Sequence, residues 1–193
     1  MSNNTKIKFF VELIKPSHYD DDGYVIQWRK SWIPSNTLAC INALSQDASE
    51  KSVLGDDVEF VINAYDEMNI VIPVDDIISR FKNNDKRGIV FFVGVQSNQF
   101  PRTMDIARLF CDENIQVAIG GFHVSGCIAM LSELPEELKD ATEKGIALFA
   151  GEAEEERLVE VFNDAYQEKL KPIYTPLDDL PGLEGQPMPI MPA

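Results

Sequence analysis

Two histidines, a pair of adjacent glycines and an acidic run are the features of this sequence that could carry chemistry. Gly120-Gly121 stand just before Phe122 and His123. Adjacent glycines at a strand-to-helix turn let backbone approach a ligand closely and aim free N–H groups at it. A tight turn needs the same glycines, so both readings stand. The segment GGFHVSG is not G-x-G-x-x-G, and the dinucleotide fingerprint is absent. His123 either lines a crevice or caps the helix that follows. His18 sits beside Tyr19, Asp20, Asp21 and Asp22, acids that either hold a hard cation or are simply solvated in a turn. With two histidines in the chain, a multi-histidine metal centre is excluded. In the run Glu152, Glu154, Glu155, Glu156, the last three read as first-turn acids that favour the helix macrodipole. Glu152 precedes that helix and is the candidate to meet a ligand. Cys40, Cys111 and Cys127 are far apart, form no C-x-x-C pair and read as reduced, mostly buried thiols on helices.

The 193 residues are 45% hydrophobic and 25% charged, enough for one complete domain and a tail without a disulfide or structural metal. The excess of 32 acidic over 17 basic residues gives a net charge of -15, which opposes an electrostatic grip on nucleic acid or an anionic membrane. No direct nucleic-acid or membrane partner is expected. The N-terminus MSNNTKIKFF lacks an apolar stretch of signal-peptide length, and no run reaches the ~18 apolar residues of a membrane span, so a cytoplasmic protein is expected.

Short apolar, β-branched runs alternate with stretches of helical period, the pattern of parallel strands joined by crossover helices. Strands are expected at Lys8–Ile14, Val58–Asn63, Ile89–Val95, Gln116–Ile119 and Ile146–Ala150. Ser35 and its neighbours offer an N-cap for a helix through about Gln46. Further helices are expected at Val74–Phe81, at Pro101–Glu113 with Ile106, Leu109 and Phe110 on one face, at His123 to about Leu131, and at Glu154–Leu170 with Leu158, Val161, Phe162 and Ala165 inward. The fold class is therefore α/β: a flavodoxin-like, Rossmann-like three-layer sandwich with a five-stranded parallel sheet. Six of the eleven prolines lie from Pro172 onward, so 172–193 is expected to be an extended connector with no regular element.

In open parallel sheets ligands bind beyond the C-terminal ends of the strands, where loops and helix N-termini converge. That places the candidates at Lys15, Pro16, Ser17 and His18 after the first strand, and at Gln96, Ser97 and Asn98 after the third. Gly120, Gly121 and His123 follow the fourth, and Gly151 with Glu152 the fifth. A receiver domain would end its third strand in aspartate and its fifth in lysine. A flavodoxin would carry a hydroxyl-rich phosphate loop after its first strand. This chain has neither.

Three segments carry a resemblance: Val93-Gly94-Val95-Gln96-Ser97 with Pro101-Arg102, Ile119-Gly120-Gly121-Phe122-His123-Val124, and Ala150-Gly151-Glu152-Ala153-Glu154. In this order the chain resembles, over about Lys8 to Leu170, the cobalamin-binding domain of radical S-adenosylmethionine enzymes. Leu177-Asp178-Asp179-Leu180-Pro181-Gly182-Leu183 is similar to the linker leading into the radical barrel of such enzymes. The resemblance implies a cobalamin-binding domain at 1–171, with Lys15, Pro16, Ser17, His18, Gln96, Ser97, Gly120, Gly121, His123, Val124, Gly151 and Glu152 facing the corrinoid, and a linker at 172–193. It assigns the 4Fe-4S cluster and S-adenosylmethionine to a C-terminal radical SAM domain, because C-x-x-x-C-x-x-C is absent here. Methyl transfer or radical rearrangement would be the chemistry of that whole. Related mutases carry D-x-H-x-x-G after the first strand, whose histidine ligates cobalt. Here Pro16 replaces the aspartate and Asp21 the glycine, which implies cobalamin held without a histidine ligand. The alternative is a degenerate domain of the same fold that holds no cofactor and positions a substrate or partner.

Overall fold

In a computed structural model, described over residues 6–29, 34–177, 180–182 and 184–192, the apolar runs assemble one parallel sheet. The chain order is β1 (Ile7–Lys15), α1 (Asn36–Glu50), β2 (Val58–Asp66), α2 (Val74–Lys82), β3 (Gly88–Phe92), α3 (Phe100–Asp112), β4 (Val117–Gly120), α4 (Phe122–Met130), α5 (Glu136–Glu143), β5 (Ala147–Phe149), α6 (Arg157–Tyr166) and β6 (Ile173–Tyr174). The sheet runs β2-β1-β3-β4-β5-β6 with every pairing parallel.

Strand β1 shows why three layers form. Side chains alternate across a strand, so Phe9, Val11 and Leu13 pack with Leu38 of α1 and Phe162 of α6, while Phe10 and Ile14 pack with Phe81 of α2 and Phe110 of α3. Both faces are covered, as continuous apolar strands require. Glu12 is fully buried on the second face, where Arg80 Nη2 donates to both carboxylate oxygens at 3.1 Å and Asn63 Nδ2 donates to Oε1 at 3.1 Å. Burial raises the Glu12 carboxyl above its ordinary range, against the lowering effect of Arg80.

Four expectations are corrected. The sheet has six strands where five were expected, because Ile173 and Tyr174 in the proline-rich tail pair with Leu148 and Phe149. Strand β6 is reached through α6 on the α1 face, so the β5–α6–β6 crossover runs opposite in hand to the others, a connection that sequence rules do not favour. Helix α5 was not anticipated; Pro135 and two first-turn acids start it, and Leu138 and Ala141 are buried. Leu109 is half exposed and does not join Ile106 and Phe110. Helix α6 starts at Arg157, since Glu155 and Glu156 are left-handed at φ 55° and 63°; they precede the helix and do not supply its first turn. The three cysteines are half-buried, on α1, α3 and α4.

Candidate functional site

The strand order reverses between β1 and β3, with α1 leaving to one face and α3 to the other, and this opening is where an α/β sheet receives ligands. Gln99, which is buried, ties its two walls together. Its Oε1 accepts from Lys15 Nζ at 2.7 Å and from Gln96 N at 3.0 Å, and its Nε2 donates to Pro16 O at 2.9 Å. Lys15 also donates to Gly94 O at 3.3 Å. Burial pushes the Lys15 ammonium down to about 8, against the opposing pull of Asp66. Lys15 and Pro16 thus form the wall of the opening, while Gln96 and Ser97 are exposed on its rim.

A second tie comes from the end of β2. Glu67 is fully buried; its Oε2 accepts from Ser17 N at 2.9 Å, and its Oε1 accepts from Arg102 Nε at 3.0 Å and Nη2 at 2.6 Å. Ser17 Oγ donates to Ile26 O. The loop from His18 to Ile26 folds back on itself, with a Tyr19–Val25 bridge and Ile26 N donating to His18 O at 2.9 Å. Asp20 Oδ1 accepts from Asp22 N at 3.0 Å and Tyr24 N at 2.8 Å, so this carboxylate holds its own turn. His18 is half-buried, and among the described residues no side chain hydrogen-bonds its ring. No group of three or more His, Cys, Asp or Glu side chains suited to a metal ion occurs among the described residues.

The glycine pair is explained by the neighbouring loop. Gly121 has φ +139°, and a Cβ there would lie 2.2 Å from Val95 N. Around it Val95 N donates to Gly120 O, and His123 N donates to Val95 O, both at 3.0 Å. The pair therefore lets the β3 and β4 loops interlock. Val124, fully buried, packs in the core. His123 is 9% exposed, tilted on the Phe100 ring at 4.6 Å between centroids. Its Nδ1 lies 3.1 Å from Ser97 Oγ. Its Nε2 lies 2.9 Å from Glu137 Oε1 but off the hydrogen-bond line.

Gly151 meets the tail. At φ +115° its missing Cβ would come within 2.7 Å of Pro176 O, and Gly151 N donates to Ser125 Oγ at 3.0 Å. The tail continues over this end of the sheet: Gly182 N donates to Glu155 Oε1 at 2.8 Å, Ile190 N to Ala39 O at 3.1 Å, and Asn42 Nδ2 to Ile190 O at 2.9 Å. Glu152 is exposed. Of the linker segment expected from Leu177 to Leu183, Asp178, Asp179 and Leu183 lie outside the described residues.

The structure thus gathers the loops of Lys15–His18, Gln96–Ser97 and Gly120–His123 around one opening and sets Gly151 under the tail. Sequence reasoning missed Gln99, Glu67 and Glu137. Gln99 follows Gln96 by three residues, the spacing of a capping turn, and was legible; Glu67 and Glu137 gain meaning only from contacts distant in sequence. No helix among the described residues is long and apolar enough to cross a membrane. Comparison with known proteins gives no match: no protein-family profile, no curated protein and no solved structure is significantly similar to the chain.

Proposed function

We propose that this chain is a cobalamin-docking domain, which holds the corrinoid against the loops after β1, β3 and β4 for a radical SAM domain that follows it. The observation that supports this reading is the place of the opening: three of the loops singled out in the sequence, those after β1, β3 and β4, converge where the strand order reverses between β1 and β3, whereas Val124 lies in the core and Gly151 under the tail. The fit lies on the rim. Gln96 and Ser97 offer exposed polar groups suited to the amide-fringed edge of a corrinoid, and His18, in the loop after β1, is half-buried. The faces of Gly121 and Gly151 are taken by Val95 and Pro176, so neither glycine admits a ligand at its own Cα.

When bound, cobalamin supplies cobalt-centred methyl transfer or radical rearrangement. The chain's residues bind and orient it. Among the described residues no carboxylate meets the His18 ring, so nothing there fixes the tautomer and basicity that a cobalt ligand would need, and the corrinoid would be held by the loops and not by His18. The closed faces of Gly121 and Gly151 favour a second reading, a cofactor-free domain that positions a substrate or partner. One experiment separates them. Full-length chain mixed with hydroxocobalamin is passed through gel filtration, and the visible spectrum of the protein peak is recorded. Stoichiometric corrinoid in that peak is the expected result; complete separation leaves the positioning role.

A further inference from the structure

Ser97, His123 and Glu137 come from three different elements and meet at the C-terminal edge of the sheet. Ser97 lies in the turn between β3 and α3, the strand–turn–helix setting that lifts a hydroxyl to the top of an α/β sheet. Its side chain is exposed, whereas the His123 imidazole behind it is nine-tenths buried on the Phe100 ring. One imidazole nitrogen lies 3.1 Å from the hydroxyl and the other 2.9 Å from the Glu137 carboxylate. In the tautomer carrying Nε2–H, Nδ1 can accept the hydroxyl proton; Cys127 Sγ also lies 3.9 Å from it, farther than the hydroxyl at 3.1 Å. The half-exposed Glu137 carboxylate is within reach of Nε2 but not aligned with it, and catalytic hydrogen bonds of this kind often tighten only when a ligand arrives. Among the described residues no other group competes with Glu137 for Nε2, which has no hydrogen-bond partner. The Asn98 N–H, next after the hydroxyl, has no acceptor among the described residues, and the residue after a nucleophile is a usual oxyanion donor.

We propose that Ser97 is a nucleophilic serine, with His123 as its general base and Glu137 as the carboxylate that orients the imidazole, able to accept an acyl group from a small activated ester. Ser97 Oγ forms a bond to the carbonyl carbon while its proton passes to His123 Nδ1. The carbon–oxygen bond to the leaving alcohol then breaks, and that alcohol takes the proton from His123. Water, deprotonated by the same nitrogen, releases the acid and restores the serine. Ester plus water gives acid plus alcohol, and no oxidant or metal enters.

The test uses the full chain without corrinoid, so its outcome is independent of cobalamin docking. A fluorophosphonate is added, and the adduct is located by peptide mass spectrometry. Displacement of fluoride by Ser97 is expected, with the adduct lost in Ser97→Ala and formed at least ~100-fold more slowly in His123→Gln. Glu137→Gln should also slow it, and Glu137→Asp should restore much of the rate. Because Glu137 is half exposed, its variants test the proposal even if His123→Gln fails to fold. No adduct at Ser97 under conditions that label a serine hydrolase overturns the proposal, as does labelling indifferent to both His123→Gln and Glu137→Gln.

Discussion

Gly121 packs edge-on against Val95, so closely that a Cβ on Gly121 would sit 2.2 Å from Val95 N and 2.8 Å from Val95 O. The atoms in the way are backbone, which cannot swing aside as a side-chain end can. The position also has φ +139°, a conformation costly for any residue with a Cβ.

Gly121→Ala is therefore expected to destabilise the fold by about 2 kcal/mol or more, from overpacking and backbone strain together. Gly126→Ala is the control, since a Cβ there meets nothing within 4 Å and the residue lies inside α4. Urea denaturation of both variants checks the difference. An unchanged midpoint for Gly121→Ala would mean that the two loops do not interlock as described.

Lys15 gives a pH dependence with a definite sign. Its ammonium is held down to about 8 in the fold, against an ordinary value of 10.5. Between these values the unfolded chain binds more protons at this site, so the Lys15 contribution to stability rises with pH from about 8 to 10.5 and is flat below. Wild type should therefore gain on Lys15→Met across that window. Urea midpoints at several pH values read the effect, and NMR of side-chain-labelled lysine should find one midpoint near 8. If all lysines titrate together near 10.5, the wall formed with Gln99 is not closed to water.

The Glu12–Arg80 pair is a buried anion on a partly exposed cation, with side-chain exposures of 0% and 36%. Removing the cation leaves the carboxylate unpaired in the core, a loss of about 3 kcal/mol when one partner of a buried pair is deleted. Arg80→Leu should show that loss near neutral pH. Glu12's carboxyl is already raised in the fold and rises further without Arg80, so the loss should shrink as pH falls towards 4.5, where the site can take up a proton. The double variant Glu12→Leu with Arg80→Leu should recover much of the stability. A loss that is constant with pH would show that packing, and not charge, is at stake.

How much of this was legible in the sequence follows from the range of the interactions. The five long apolar runs and the helices at Asn36–Glu50, Val74–Lys82 and Phe100–Asp112 were readable because strand alternation, caps and helical period are local signals. The loops after β1, β3 and β4 were placed at the right edge of the sheet by topology alone. What the glycines are for was not readable: Gly121 answers to Val95 and Gly151 to Pro176, partners set by tertiary packing. Strand β6 escaped because two residues carry no period and the surrounding prolines argue against a strand. Glu137 escaped with α5, whose start at Pro135 follows α4 after a short connection.

The N-terminus of α6 allows sequence and structure to be set against each other with opposite signs. Three successive glutamates ahead of an amphipathic segment predict a helix from Glu154, with their charge on the positive end of the dipole. The fold departs from this: Glu155 and Glu156 are left-handed, and the tail lies against them, with Glu155 Oε1 accepting from Gly182 N at 2.8 Å and Arg157 Nη1 donating to Pro176 O at 3.5 Å. A left-handed non-glycine residue costs about 1–2 kcal/mol. Glu156 is exposed and makes no side-chain hydrogen bond as a cap, so little else depends on its side chain. Glu156→Gly is accordingly expected to stabilise the protein by roughly 0.5–1 kcal/mol, the relief of the left-handed conformation exceeding the added entropy of the unfolded glycine. Were residues 154–156 the first turn of α6, the same substitution would destabilise by up to about 1 kcal/mol, the cost of glycine within a helix. The sign of the shift in urea midpoint decides between the two. Amide hydrogen exchange gives a second reading: in the fold described, α6 starts at Arg157, and Glu155 N has a weak acceptor in Gln186 Oε1 at 3.4 Å, so the amides of Glu155 and Glu156 should exchange far faster than that of Val161 in the helix interior.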